Sequence, residues 1–170
     1  MKIFSDKKPG FSKCIFTVKK EVIIMEELFE LRTCLEQGRY NDAMALIGEM
    51  ENMSKDDKIS KVESFTIVLL VHLIKKEAEK RTTRSRELSI RNALREISRV
   101  NKRRKSGGYY LKEEELRETV HEAYEDALDN AALEAFEGRY SESELAEIVD
   151  EEKIRKEALQ LILERQIKGK

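Results

Sequence analysis

The run Ile59 to Ile74 (ISKVESFTIVLLVHLI) is the most apolar stretch of the chain. Its second half, through Ile67, Val68, Leu69, Leu70, Val71, Leu73 and Ile74, leaves no polar stripe. A helix that is apolar all round is normally buried among other helices. A membrane span is excluded: about 18 to 20 apolar residues are needed, and Glu63 and Lys75 bracket the core of this run. The remaining apolar residues recur at helical spacing between charged ones. The expectation is a compact all-α bundle, about five to seven helices around a buried central helix. With 170 residues, of which one is Pro and none is Trp, residues 25–168 are long enough to form a single helical domain with its own core.

Residues 1–24 stand apart. They carry Lys2, Lys7, Lys8, Lys13, Lys19 and Lys20 against Asp6 and Glu21, with a Pro9-Gly10 turn signal and a short apolar piece from Cys14 to Val18 that reads as strand. This is a basic N-terminal extension, either poorly ordered like many termini or an arm for a partner. Met25 opens a clean helical pattern and reads as an alternative natural start. Cys14 and Cys34 have no metal spacing and read as free thiols in a reducing, cytoplasmic setting. No signal peptide is recognisable.

Leu28, Leu31, Cys34 and Leu35 predict a helix over 25–37, stopped by Gly38. A second helix is expected over 41–52. Ser54 with Asp57 then reads as the cap of a third, which carries the apolar run to about Lys80. Thr82 or Thr83 can cap a fourth helix, ended by Ser106-Gly107-Gly108. A fifth is expected over 112–137, ended by Gly138. Ser141 with Glu144 forms a capping box for a sixth, and Asp150 caps a final one. Gly-Arg-Tyr occurs twice, at 38–40 and 138–140. The two copies lie far beyond the 34-residue period of tetratricopeptide repeats, so they read as two similar helix-ending turns.

Charge is segregated along the chain. Residues 75–105 hold 13 Lys and Arg against 4 Asp and Glu, and residues 106–170 hold 9 against 18. In one reading the basic and acidic helices neutralise each other, with Glu113, Glu114, Glu115 and Glu118 answering the basic block. In the other, part of the basic face stays open and meets phosphates. Arg84, Arg91, Lys102, Arg103, Arg104 and Lys105 are the nucleic-acid-binding candidates.

Strong catalytic signatures are missing. Gly107-Gly108 lacks the Lys-Ser or Lys-Thr of a phosphate loop. His72 sits in the apolar run, where a hydrogen-bonded core histidine is the ordinary role; the sharper reading joins it to Arg84 and Tyr124 in a small pocket. Arg would clamp a phosphate and His act as acid or base. Glu118, Glu122, Glu125, Asp126 and Asp129 with His121 offer carboxylates at helical spacing. Dense acidic helices produce such spacings without a metal, and neither metal nor cofactor is expected.

Three segments carry a resemblance: LLVHLIKKEAEKRTTRS (Leu69 to Ser85), ELSIRNALREI (Glu87 to Ile97) and HEAYEDALDNAALE (His121 to Glu134). From about Met25 to Ile162 the chain resembles the bacterial domain-of-unknown-function family number twenty-nine. That family's Leu-x-His-Leu-Leu-Lys run, Arg-Ser-Trp and later Ala-Tyr-x-x-Ala fall here on His72, Lys75, Arg84, Ser85 and Ala123-Tyr124. Arg86 stands where the family commonly has Trp, and Lys76 where an aromatic often follows. The resemblance implies a compact helical bundle and carries no established activity.

Three functions remain in play. The first is a non-catalytic binding or accessory module for a nucleic-acid or protein partner. The second is a nuclease-like or other hydrolase built on His72, Arg84 and Tyr124. The third is an antitoxin-like helical oligomer, which needs an exposed apolar face, expected on the last helix.

Overall fold

The computed structural model describes residues 25–103, 107–135 and 140–168. Among them the protein is all-α, with six helices and no strand. These are α1 (25–36), α2 (Tyr40–Glu79), α3 (Arg84–Asn101), α4 (Glu113–Glu134), α5 (Glu142–Ile148) and α6 (Glu151–Lys168). No described helix is long and apolar enough to cross a membrane. The basic extension at residues 1–24, its strand and Cys14 lie outside the described residues.

The chain divides into two units, Met1–Ser54 and Lys55–Lys170. In the first, α1 ends in a tight turn at Gly38, whose φ of 71° is the left-handed conformation that glycine adopts without a Cβ penalty. The Arg39 N–H donates to the Cys34 carbonyl at 2.8 Å and closes that turn. Cys34 is buried with a free thiol. The second Gly-Arg-Tyr turn lies mostly outside the described residues.

The expected break near Ser54 is absent: α2 runs unbroken for 40 residues. Ser54 and Asp57 are cap formers, but a cap former does not stop a helix by itself. No Pro or Gly occurs between Gly48 and Glu79, so nothing forces the chain to turn.

In the second unit the apolar run performs as expected over most of its circumference. Val62, Leu69, Leu70, Leu73 and Ile74 are buried among Ile97 of α3, Leu116 and Val120 of α4, Leu145 of α5, and Ile154 and Ile162 of α6. Each such side chain contributes about 1.5–3 kcal/mol on burial. Thr66, fully buried, donates its hydroxyl to the Val62 carbonyl at 2.8 Å, so it brings no unpaired polar atom into the core. One flank is open, with Val68 at 42% exposure. On α4, Ala123, Ala127 and Ala131 are buried in a row; small side chains at a contact allow helices to approach closely.

The helix ends show which local signals hold. Thr83 is the N-cap of α3, its hydroxyl accepting from the Arg86 N–H at 3.2 Å. Ser141 and Glu144 form the expected box, the Glu144 N–H donating to Ser141 Oγ and the Ser141 N–H to the Glu144 carboxylate. Asp150 caps α6 through the Lys153 N–H at 3.0 Å. The end of α3 differs from expectation: the helix stops at Asn101, with Lys102 extended, well before the glycines. Asn101 is fully buried and clasps Leu111, its Oδ1 accepting from the Leu111 N–H at 2.7 Å and its Nδ2 donating to the Leu111 carbonyl at 2.9 Å. The chain returns through a bridge between Lys102 and Tyr109. Gly107 and Gly108 both have positive φ and lie just before Tyr109 of that bridge, not at the helix stop.

Candidate nucleic-acid interface

Among the described residues the basic block is paired in one part and open in another. Lys75 bonds Glu134 on α4 and Lys76 bonds Glu157 on α6, each at 2.8 Å. Glu77 in return receives Lys153 of α6 at 3.0 Å. Lys80, Arg81 and Arg86 use the carboxylates of Glu77 and Glu79, and Arg99 pairs with Glu96 in its own helix. The block is therefore partly neutralised, but by α2, α4 and α6 residues other than those expected. Glu113 and Glu114 pair with Arg117 on their own helix, and Glu115 accepts from the Lys112 N–H. Among the described residues no ion pair joins α3 to the first turn of α4.

What stays open is the outer face of α3. Its inner face buries Arg86, Ala93, Leu94, Ile97 and Asn101. At about 3.6 residues per turn, Arg84, Arg91 and Arg95 lie within roughly 40° of one another on the opposite side. All three are exposed. Arg84, Arg91 and Arg95 have no acidic partner among the described residues. From Arg84 to Arg95 the row runs about 17 Å along the axis, at about 1.5 Å per residue. Arg84 is the first residue of α3, where a cation opposes the positive end of the helix dipole. An external anion would relieve that. Arg103 follows beyond the helix, its guanidinium 5.4 Å from the Tyr110 ring centroid. Arg104 and Lys105 lie outside the described residues. Arg95 was absent from the sequence candidates, although its spacing of four from Arg91 and eleven from Arg84 puts it on the same row.

The other candidate residues are dispersed. His72 is half-buried on α2, with Lys75, Glu134 and Arg86 as its charged neighbours. Burial, followed by the Lys75 charge, pulls its pKa below the usual 6.5. Tyr124 is buried on α4, beneath Arg155 of α6 at 5.7 Å. Burial above all, then the nearby Glu151 carboxylate, pushes its phenol up to about 12. Arg84 is exposed at the start of α3, and no hydrogen bond or charge interaction links any two of His72, Arg84 and Tyr124. The His72 Nδ1 and Tyr124 hydroxyl are buried without hydrogen-bond partners among the described residues.

His121 lies at a groove of about 710 Å³ between α4 and α6 and accepts a hydrogen bond from Arg155. The groove mixes both signs of charge, Arg117, Lys153, Arg155 and Lys156 with Glu118, Asp150 and Glu152. Among the described residues no three His, Cys, Asp or Glu side chains gather as a metal site. The apolar residues of α6, Ile154, Ala158, Leu159 and Ile162, face the core, leaving Ile167 as its exposed large hydrophobic.

A family model described as "Domain of unknown function DUF29" matches residues 29–159. No curated protein and no solved structure matches the chain.

Proposed function

The chain belongs to the DUF29 family, and on that premise we propose that this member is a non-catalytic binding module that holds nucleic acid through the outer face of α3. The observation that carries this reading is the row Arg84, Arg91 and Arg95, exposed and without an acidic partner among the described residues. Lys75, Lys76, Lys80, Arg81, Arg86 and Arg99 of the same block do find carboxylates, so the open row differs from its neighbours. Guanidinium groups bind phosphate oxygens through two parallel N–H donors. A row on one helix face follows a backbone of repeating phosphates without reading base sequence.

The test is fluorescence anisotropy of the full chain with labelled single- and double-stranded RNA and DNA. Binding that weakens as salt rises, and is lost in Arg84→Glu/Arg91→Glu/Arg95→Glu with helix content unchanged, supports the reading. Undiminished binding by that variant removes it.

A further inference from the structure

Past the end of α3 the chain makes a short hydrogen-bonded return. The Tyr110 N–H donates to the Asn101 carbonyl at 2.8 Å and the Arg103 N–H to the Gly108 carbonyl at 3.0 Å. Between them lies the bridge of Lys102 and Tyr109. Tyr109 is committed to the bundle, its hydroxyl donating to the Gln166 carbonyl of α6 at 2.9 Å. Tyr110 is half-buried and has the Arg103 guanidinium over its ring, 5.4 Å from the centroid. A cation within about 6 Å of an aromatic face is attracted to it. Arg103 is itself exposed, and among the described residues no carboxylate pairs with it. The ring is a neutral partner: it positions the guanidinium without cancelling its charge.

We propose that the α3 face takes single-stranded nucleic acid in preference to duplex, the arginine row holding the backbone while Arg103, backed by Tyr110, stacks on an unpaired base. This rests on the reading of α3 as a nucleic-acid face and names the class of strand it takes. Phosphate contacts alone do not separate one strand from two. Aromatic rings and guanidinium planes do, because they stack on bases that are splayed out, whereas inside a duplex both faces of each base are covered by its neighbours.

The distances suit a strand that bends. Six helical residues separate Arg95 from Asn101, a rise of about 9 Å. Lys102 and Arg103 add at most about 3.8 Å each. Whichever way the chain turns, the Arg103 backbone therefore lies within about 18 Å of that of Arg95. With the 17 Å of the row, the whole track is about 35 Å at most, or about ten nucleotides at about 3.4 Å each in a stacked strand. A single strand can follow the row and then turn onto the Arg103–Tyr110 pair past its end. A duplex, stiff over about 150 base pairs, meets the row alone.

Fluorescence anisotropy of the full chain tests this with three labelled DNA probes of about 12 nucleotides: a single strand, the same sequence as duplex, and a strand of abasic sugars. The single strand should bind at least about fivefold more tightly than either of the others, the lower end of what stacking one base supplies. Arg103→Lys keeps the charge and loses the plane; Tyr110→Ala loses the ring behind it. Each should weaken the single strand far more than the duplex, and Tyr110→Phe should retain the preference. Circular dichroism shows which variants are folded; if Tyr110→Ala loses helix, Arg103→Lys decides, being an exposed position. Duplex bound as tightly as the single strand, or a preference that Arg103→Lys leaves intact, overturns the proposal. The reading of α3 as a nucleic-acid face survives that result if Arg84→Glu/Arg91→Glu/Arg95→Glu still abolishes binding. No binding to any probe overturns both.

Discussion

Arg86 and Glu79 form an ion pair at 2.9 Å with side chains only 8% and 7% exposed. The guanidinium also donates to the Arg81 carbonyl at 2.8 Å and the Lys75 carbonyl at 3.4 Å. It thereby ties the start of α3 to the last turns of α2. Arg86 stands where the resemblance places a Trp, and here the position is a polar staple rather than an aromatic wall. The staple holds one side of α3 inward, so Arg84, Arg91 and Arg95 face out.

Removing one partner of this pair strands the other charge in the interior. Arg86→Met is expected to cost about 3–5 kcal/mol. The double variant Arg86→Met/Glu79→Leu should recover much of that loss, because no buried charge remains. Urea denaturation of the three proteins checks both. A single variant as stable as wild type would mean that the pair is solvated.

The turn after α3 rests on Asn101. Asn101→Leu leaves the Leu111 N–H and carbonyl without their partner, at about 1–3 kcal/mol for each buried unsatisfied group. The variant should lower stability by about 2–6 kcal/mol. Faster amide exchange at Leu111 is the local readout, and unchanged exchange there would contradict the clasp.

Stability should fall with acid in two separable steps. Burial, followed by the Lys75 charge, holds the His72 pKa below 6.5. As pH drops below 6.5 the unfolded chain takes up this proton first, and stability declines until His72 protonates in the folded protein as well. Glu77 is held below 4.5 by hydrogen bonds from Lys80 and Lys153. Burial opposes ionisation of Glu79, but the Arg86 and Arg81 hydrogen bonds and charges outweigh it and keep its pKa below 4.5 as well. Their contribution is complete above 4.5 and disappears as pH falls through the lower folded values. His72→Gln should flatten the first step and leave the second, read as denaturation midpoint against pH. An unaltered first step would show that His72 is not its source.

What could be read in advance was local. Thr83, Ser141 with Glu144, and Asp150 cap where their spacing says, because a cap is decided within one turn. The apolar run marked the core helix because burial follows composition. The single length of α2 was missed, since Ser54 and Asp57 are as compatible with a continuing helix as with a start. The stop of α3 was missed because Asn101 answers to Leu111, ten residues on. The basic block was visible, but its open part was not: Lys75 and Lys76 find carboxylates 59 and 81 residues away, and such pairings cannot be counted before the fold exists.

The most direct measurement is the slope of log affinity against log salt for nucleic acid, in wild type and in Arg91→Glu and Arg95→Glu. Three phosphate contacts give a slope of about −2.7 on duplex, at about −0.9 per contact. Each substitution should make the slope shallower by about one and leave unfolding free energy within about 0.5 kcal/mol of wild type, as expected for exposed positions. A flat salt dependence, or a slope that neither variant changes, would contradict the assignment of α3 as the nucleic-acid face.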